Sequence, residues 1–435
     1  MSFKISSKQS EQTKNKEKRM RELLLKGALV ISMLFMVGCD GLDKPEEAIG
    51  GEIVVNFDGD SIKASMIAAE TPGIDENTSV YGFKAYKIPY TTTDEEGEEV
   101  AVSGLMVVPT GMPDIVYSTL GLSMVSDDHG TIFANRESPT QSVSVLNMPE
   151  GSAIILTSLA GFVTLQPDYI GFGDSNDHYH PFIMKKSLAN ATVDFIVAAR
   201  KFATDNSIKL NGQLFLTGYS EGGYAALATL QKIESDGEMQ VAMAAPMAGP
   251  YALEAMAMGV LNEPVLGVPS FMANVGYAYA KAYDKDLATV INEPYASNLE
   301  TLFNGDLARP EIDPQLTTVT TGADGLFNPV FVNDFFTNPD NWFKKAVQEN
   351  DIHAWVPQTA VRFVHCKGDS VIPYVIAELT VGTMQAMEAP NVDIVPVEAT
   401  LGLGDALVDH GDCGAMAYKV TAGIFANARH SVFGY

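Results

Sequence analysis

One stretch of this chain carries the residue types of nucleophilic catalysis. At 214–228 the sequence L-F-L-T-G-Y-S-E-G-G-Y-A-A-L-A runs from an apolar strand through G-x-S-x-G into an alanine-rich helix start. A serine lifted onto a sharp strand-to-helix turn needs strained backbone angles. Neighbours without a Cβ, here Gly218 and Gly222, let strand and helix pass closely. The helix amino terminus then aims free N–H groups at negative charge developing in a reaction. No other G-x-S-x-G occurs in the 435 residues. Ser220 is the expected nucleophile; the competing reading is a turn serine packed between two glycines.

A serine needs a base, and the base needs an orienting acid. Seven histidines are available: His129, His178, His180, His353, His365, His410 and His430. In α/β-hydrolase proteins the chain order is Ser, then acid, then His, each on a loop after a successive strand. The apolar strand at 361–366 is followed by K-G-D-S-V-I-P, which offers Asp369 as the acid. The strand at 392–397 is followed by a Gly-rich loop and V-D-H-G-D-C, which offers His410 as the base. Asp393 is the alternative acid but lies inside a strand. His430 sits near the end of the last helix and reads as a surface residue; His365 sits in a strand and reads as structural.

These loops need a scaffold, and the periodicity predicts one. Strand-like runs at 53–57, 80–88 and 100–108 precede residue 110, with T-T-D-E-E-G-E-E as a hairpin loop between the last two. Beyond 113, strands at 114–119, 161–166, 213–217 and 240–246 alternate with helices at 185–203 and 221–235. In the first helix Leu188, Thr192, Phe195, Ala199 and Phe202 fall on one face. This alternation predicts an α/β fold, a mostly parallel sheet with helices on both faces. It stops near 249 and resumes at 361. The intervening 250–358, rich in Phe271, Met272, Tyr277, Tyr279, Phe335, Phe336 and Trp342, is expected to form a mainly helical cap. The core is then 51–249 and 359–435.

G-Y-S-E-G-G, Q-P-D-Y-I-G-F-G-D-S at 166–175, K-G-D-S-V-I-P and D-H-G-D-C together resemble the secretory lipase family of the α/β-hydrolase fold, over roughly 80–430. The resemblance implies a cofactor-free acyl-ester hydrolase with an inserted cap, in which Ser220 is nucleophile, Asp369 acid and His410 base. It places one oxyanion donor at the backbone N–H of Glu221. The second belongs on a loop after an early strand, where the family presents H-G-T. That triplet stands at 129–131, but S-T-L-G-L-S-M-V-S-D-D separates it from the strand expected at 114–119. Gly130 and Thr131 are favoured, with Leu120-Gly121 as the alternative. His129 beside Asp127 and Asp128 could pass for a metal set, but nothing else in the sequence supports a metal. Asp168, Tyr169, Gly171 and Gly173 read as a turn packing beside the nucleophile, and His178-Tyr179-His180-Pro181 as a structural loop, with a lining of the pocket mouth as the alternative.

The amino terminus reads as an address. Residues 1–26 are polar and basic, 27–38 are apolar, and Cys39 follows at once. The apolar run is short for a membrane span. It resembles a bacterial lipoprotein signal, which implies removal of 1–38, lipid on Cys39, a tether over 39–50 and membrane attachment of an exported protein. Cys366 and Cys413 then sit in an oxidising compartment, where a pair tends to form a disulfide; two buried free thiols are the alternative. They lie three residues before the acid and three after the base, so a bridge would pin those two loops. The net charge is −26, and −31 from Cys39 onward, which argues against a nucleic-acid partner. The expected partner is a small-molecule or lipid ester. Two rival functions remain open from sequence: a serine peptidase or amidase of the prolyl-oligopeptidase kind, and a lipid-anchored binding protein without turnover.

Overall fold

The computed structural model describes residues 47–68, 74–144 and 152–435. The signal expected at 1–38, Cys39 and most of the expected tether lie outside the described residues. Ten strands form one sheet: β1 (Glu47–Ala48), β2 (Gly51–Phe57), β3 (Gly82–Thr93), β4 (Glu99–Thr110), β5 (Leu122–Asp128), β6 (Val163–Pro167), β7 (Leu210–Tyr219), β8 (Met243–Met247), β9 (Val361–His365) and β10 (Val392–Pro396). Their spatial order is β1-β2-β3-β4-β6-β5-β7-β8-β9-β10. The first four strands pair antiparallel, β4 meets β6 antiparallel, and β5 to β10 are parallel. Helices cover both faces, and the fold is that of the α/β-hydrolases.

The two-residue period of the strands sorts side chains between two cores. On one face Met124, Leu214, Leu216 and Phe363 pack with helix α1 (Lys185–Asp205) and helix α2 (Glu221–Asp236). The stripe Leu188, Thr192, Phe195, Ala199 and Phe202 of α1 is buried there. On the other face Val125, Phe215, Met247 and Val364 pack against helix α4 (His410–Phe433), through Phe425 among others. Helix α3 (Tyr374–Ala386) lies between β9 and β10 in the chain. Between β8 and β9 run the helices Leu253–Asn262, Pro269–Ala282, Tyr295–Leu302, Arg309–Ile312, Pro329–Thr337 and Trp342–Glu349. Buried hydroxyls tie this insertion to the core: Tyr224 Oη donates to Asn350 O at 2.6 Å, and Tyr279 Oη to Ile183 O at 3.0 Å. No helix among the described residues is long and apolar enough to cross a membrane.

One strand expected from the sequence is displaced. Residues 114–119 form no strand: Val116–Leu120 is a π-helical turn that begins behind Pro113 and ends at Gly121, with φ +79°. The strand is β5, whose Ser123, Ser126, Asp127 and Asp128 gave it a loop-like pattern. All seven of its residues are buried. Most of their polar groups find partners inside: Asp127 accepts from Ser152 Oγ, Gln166 Nε2 and Tyr418 Oη, and Asp128 from Thr192 Oγ1, while Ser126 Oγ and Asp128 Oδ2 have none among the described residues. A strand so rich in buried polar groups carries no hydrophobic signature.

Candidate active site

Ser220 stands between the end of β7, a central strand, and the start of α2. Its φ of 60° and ψ of −119° are forced on a residue with a Cβ, a strain of about 1–3 kcal/mol. Surrounding packing over-determines the turn. Ser220 N donates to Met247 O at 2.9 Å on neighbouring β8. A Cβ on Gly222 would meet Asp128 O at 1.8 Å, and one on Gly218 would meet the same oxygen at 2.4 Å. The two glycines therefore let β5 approach the elbow.

The loops after β9 and β10 converge on this serine. His410 Nε2 lies 3.0 Å from Ser220 Oγ, and His410 Nδ1 lies 2.6 Å from Asp369 Oδ2. Burial alone would push the Asp369 carboxyl up. Hydrogen bonds from His365 and His410, with their favourable charge interactions, more than offset this and bring it down to about 2. Its Oδ1 also accepts from Val371 N at 3.0 Å and Ile372 N at 2.8 Å. Asp369 is thus held as an anion facing an imidazole.

Cys366 and Cys413 are joined by a disulfide with 6.1 Å between their Cα atoms. Two further clasps join the same loops. Ser370 donates its N–H and hydroxyl to Asp409 Oδ1 at 3.0 and 2.6 Å, and buried Glu398 accepts from Lys367 N at 2.8 Å and Val408 N at 3.3 Å. Asp393, by contrast, is on β10 against Arg362 at 3.5 Å, and His430 is exposed on the last turn of α4.

The displaced strand resolves the spacing of the H-G-T triplet. Parallel pairing sets Leu122 beside Leu210 and Asp128 beside Gly218. Leu120-Gly121 therefore lies at the far end of the strand from Ser220, and the alternative donor site there is wrong. His129, Gly130 and Thr131 follow β5 directly, beside the elbow. His129 Nδ1 lies 2.8 Å from Gly130 O and its Nε2 3.2 Å from Asp168 O. Fixing the Gly130 carbonyl toward His129 turns the N–H of the same trans peptide, that of Thr131, the opposite way. Asp168 is buried and accepts from Ser103 Oγ at 2.5 Å and Thr140 N at 2.9 Å. Among the described residues no group of three or more His, Cys, Asp or Glu could hold a metal ion.

The profile of the secretory lipases matches residues 139–422, about two thirds of the chain. The chain belongs to the secretory lipase family. It is a carboxylic ester hydrolase. Three solved structures share its fold. A hydrolase from Legionella pneumophila is 22% identical with a TM-score of 0.76, covering 90% of this chain and 99% of the other. The rice cell wall degrading esterase LipA from Xanthomonas oryzae is 23% identical with a TM-score of 0.72, covering 88% and 97%. Candida antarctica lipase A in its closed state is 17% identical with a TM-score of 0.56, covering 75% and 73%. No curated protein matches the chain in sequence.

In this secretory lipase family member a cavity of about 110 Å³ opens beside the serine. Thr131, Ser220, Glu221 and Ile372 form its core-side wall; Leu253, Met256, Phe271 and Phe331 of the insertion form the opposite one. Sequence reasoning missed three contributors to the site. His365, read as structural, donates toward Asp369 Oδ2 at 3.1 Å. Its spacing of four from Asp369 was the available signal. Glu398 and the Ser370–Asp409 clasp left none, because their partners are backbone groups and a residue 39 positions away.

Proposed function

We propose that the enzyme hydrolyses esters through an acyl-enzyme on Ser220. His410 takes the Ser220 proton as the oxygen attacks the carbonyl and returns it to the leaving alcohol; Asp369 holds the imidazole with Nδ1–H toward itself. The tetrahedral oxyanion is received by the backbone N–H of Glu221 and by the 130–131 loop, where Thr131 N–H is the favoured donor over Gly130. Water, activated by the same histidine, then releases the acid. The observation that carries this reading is the unbroken line from Asp369 through His410 to Ser220, at 2.6 and 3.0 Å.

The insertion over 250–358 acts as the cap, and its apolar wall receives the hydrophobic part of the ester. The chain is exported, with 1–38 removed as a signal and lipid on Cys39; the tether is shorter than the 39–50 expected and runs over 39–46, because Glu47–Ala48 already pair with β2 as β1. The test of the chemistry is hydrolysis of p-nitrophenyl esters from acetate to palmitate by the form starting at residue 40 and its Ser220→Ala variant. Loss of turnover and of fluorophosphonate labelling in the variant is the expected result; turnover surviving the substitution overturns the serine mechanism. Lipid attachment is tested by palmitate labelling of the full chain, which Cys39→Ala should abolish.

A further inference from the structure

The H-Y-H-P segment at 178–181 has a place in the site that the triad does not use. His180 is 9% exposed, and Glu221, the residue following Ser220, is 1% exposed. His180 Nδ1 lies 2.8 Å from Ile170 O, and its Nε2 lies 2.7 Å from Glu221 Oε1. A carbonyl oxygen only accepts, so Nδ1 carries a hydrogen. A second proton must then lie between Nε2 and Oε1, since otherwise two lone pairs would face each other. On the nitrogen it makes an imidazolium against a carboxylate; on the oxygen it makes two neutral groups. In either arrangement the pair has no net charge.

Among the described residues Glu221 Oε2 has no hydrogen-bond partner. The rings of Phe172, Tyr169 and Phe182 surround His180 at 4.9, 6.0 and 6.1 Å, and the wall beyond Glu221 is the apolar cavity. Charge in such a setting is poorly screened. We propose that His180 is the charge partner that makes an acidic side chain tolerable next to the nucleophile, by cancelling Glu221 where the oxyanion develops. This rests on the assignment of Ser220 as nucleophile and of Glu221 N–H as oxyanion donor. Without His180, a bare carboxylate would stand beside a developing negative oxygen and raise the barrier selectively in the transition state. His180 touches no reacting atom; it is a positioning residue, and its effect belongs in kcat.

The test is a double-substitution cycle on the form starting at residue 40, with kcat expressed per folded molecule and folding followed by thermal melts. His180→Phe keeps a ring among the aromatics and removes the proton. Its kcat should fall by roughly a hundredfold, with KM changed only a few-fold. Adding Glu221→Gln should restore at least tenfold of that loss, because no carboxylate remains to be cancelled. A double variant as slow as His180→Phe, or an unchanged kcat per folded molecule in both, overturns the proposal and leaves the pair a packing contact. If His180→Phe does not fold, His180→Gln carries the same cycle. Ser220→Ala is measured alongside: surviving turnover there overturns the serine mechanism and this inference with it. Abolished turnover there, with no rescue in the cycle, overturns the charge pairing alone.

Discussion

The two halves of the site are held in opposite ways. On the side of the acid and base, Asp369 is an anion surrounded by donors, brought to about 2, and its loop is stapled to that of His410 by a disulfide. On the side of the H-G-T loop, the supports are buried carboxylic acids. Burial raises Asp127 and Asp168 to about 6, against hydrogen bonds from Ser152, Tyr418 and Gln166 to the first and from Ser103 and Thr140 to the second. Burial also pushes Asp128 well above the usual carboxylate range. One half is built from charge that the fold stabilises. The other is built from charge that the fold resists, so it is most secure when its acids are protonated. The difference fits the proposed roles: a base needs a fixed anion behind it, whereas an oxyanion loop works best with no anion nearby.

The largest effect expected from breaking this contrast is on catalysis. Asp369→Asn keeps the shape of the side chain and removes the charge that His410 faces, so kcat should fall by about 10⁴-fold with KM little changed. Steady-state kinetics on the shortest ester of the panel measures it. A loss under tenfold would mean that the anion side does not govern the chemistry.

Next is the staple. The bond closes 47 residues of chain, and a loop of that length is worth about 4 kcal/mol on chain-entropy grounds. The Cys366→Ala/Cys413→Ala protein should lose stability of that order in urea titration. Because the Ser370–Asp409 and Glu398 clasps remain, its kcat should fall far less than in Asp369→Asn.

The third effect tests the opposite signs directly. Asp369, with its folded value below the unfolded one, contributes stability that is present above pH 4 and lost as pH falls toward 2. Asp127 has its folded value above the unfolded one, so the folded state binds more protons between pH 4 and 6. Its cost therefore appears as pH rises through that window and reaches about 3 kcal/mol above it. Asp127→Asn should reduce the loss of stability between pH 4 and 6, leaving the part due to Asp168, and leave the decline below pH 4 intact. Denaturant titrations at half-unit steps read both windows. A profile unchanged on the alkaline side would show that Asp127 is not the resisted charge.

The same contrast explains what the sequence disclosed. The meeting of Ser220, Asp369 and His410 was legible because each follows an apolar strand whose pattern survives in sequence, and because G-x-S-x-G records a steric need. The helical insertion was visible as an interruption of that alternation. The half proposed to receive the oxyanion was harder, since β5 spends four of its seven positions on Ser and Asp. Their burial depends on Ser152, Gln166, Thr192 and Tyr418, which arrive from distant parts of the chain. Hydrophobic periodicity cannot report a strand whose interior is this polar. The contact of His180 with Glu221 was hidden for the same reason: 41 residues separate two groups that only the folded elbow brings within 2.7 Å.

The smallest effect concerns His365, which sharpens the account of the anion side. Its Nε2 faces Asp369 Oδ2 at 3.1 Å and Ile372 O at 3.0 Å, both acceptors, so that nitrogen carries the hydrogen. Among the described residues its Nδ1 is buried without a partner. A donor of this kind steadies the carboxylate alongside His410. His365→Phe retains a ring inside the strand and removes the donor, so Asp369 should rise from about 2 toward its ordinary value. The acid-dependent part of stability then shrinks. At pH 6 the variant should be less stable than the wild type by about 1 kcal/mol in that part, over any packing loss. The gap should narrow as pH is lowered to 3, because the wild type is then losing what the variant already lacks. A gap that stays constant from pH 6 to 3 would make His365 a packing residue and leave Val371 N, Ile372 N and His410 as the groups that hold the acid.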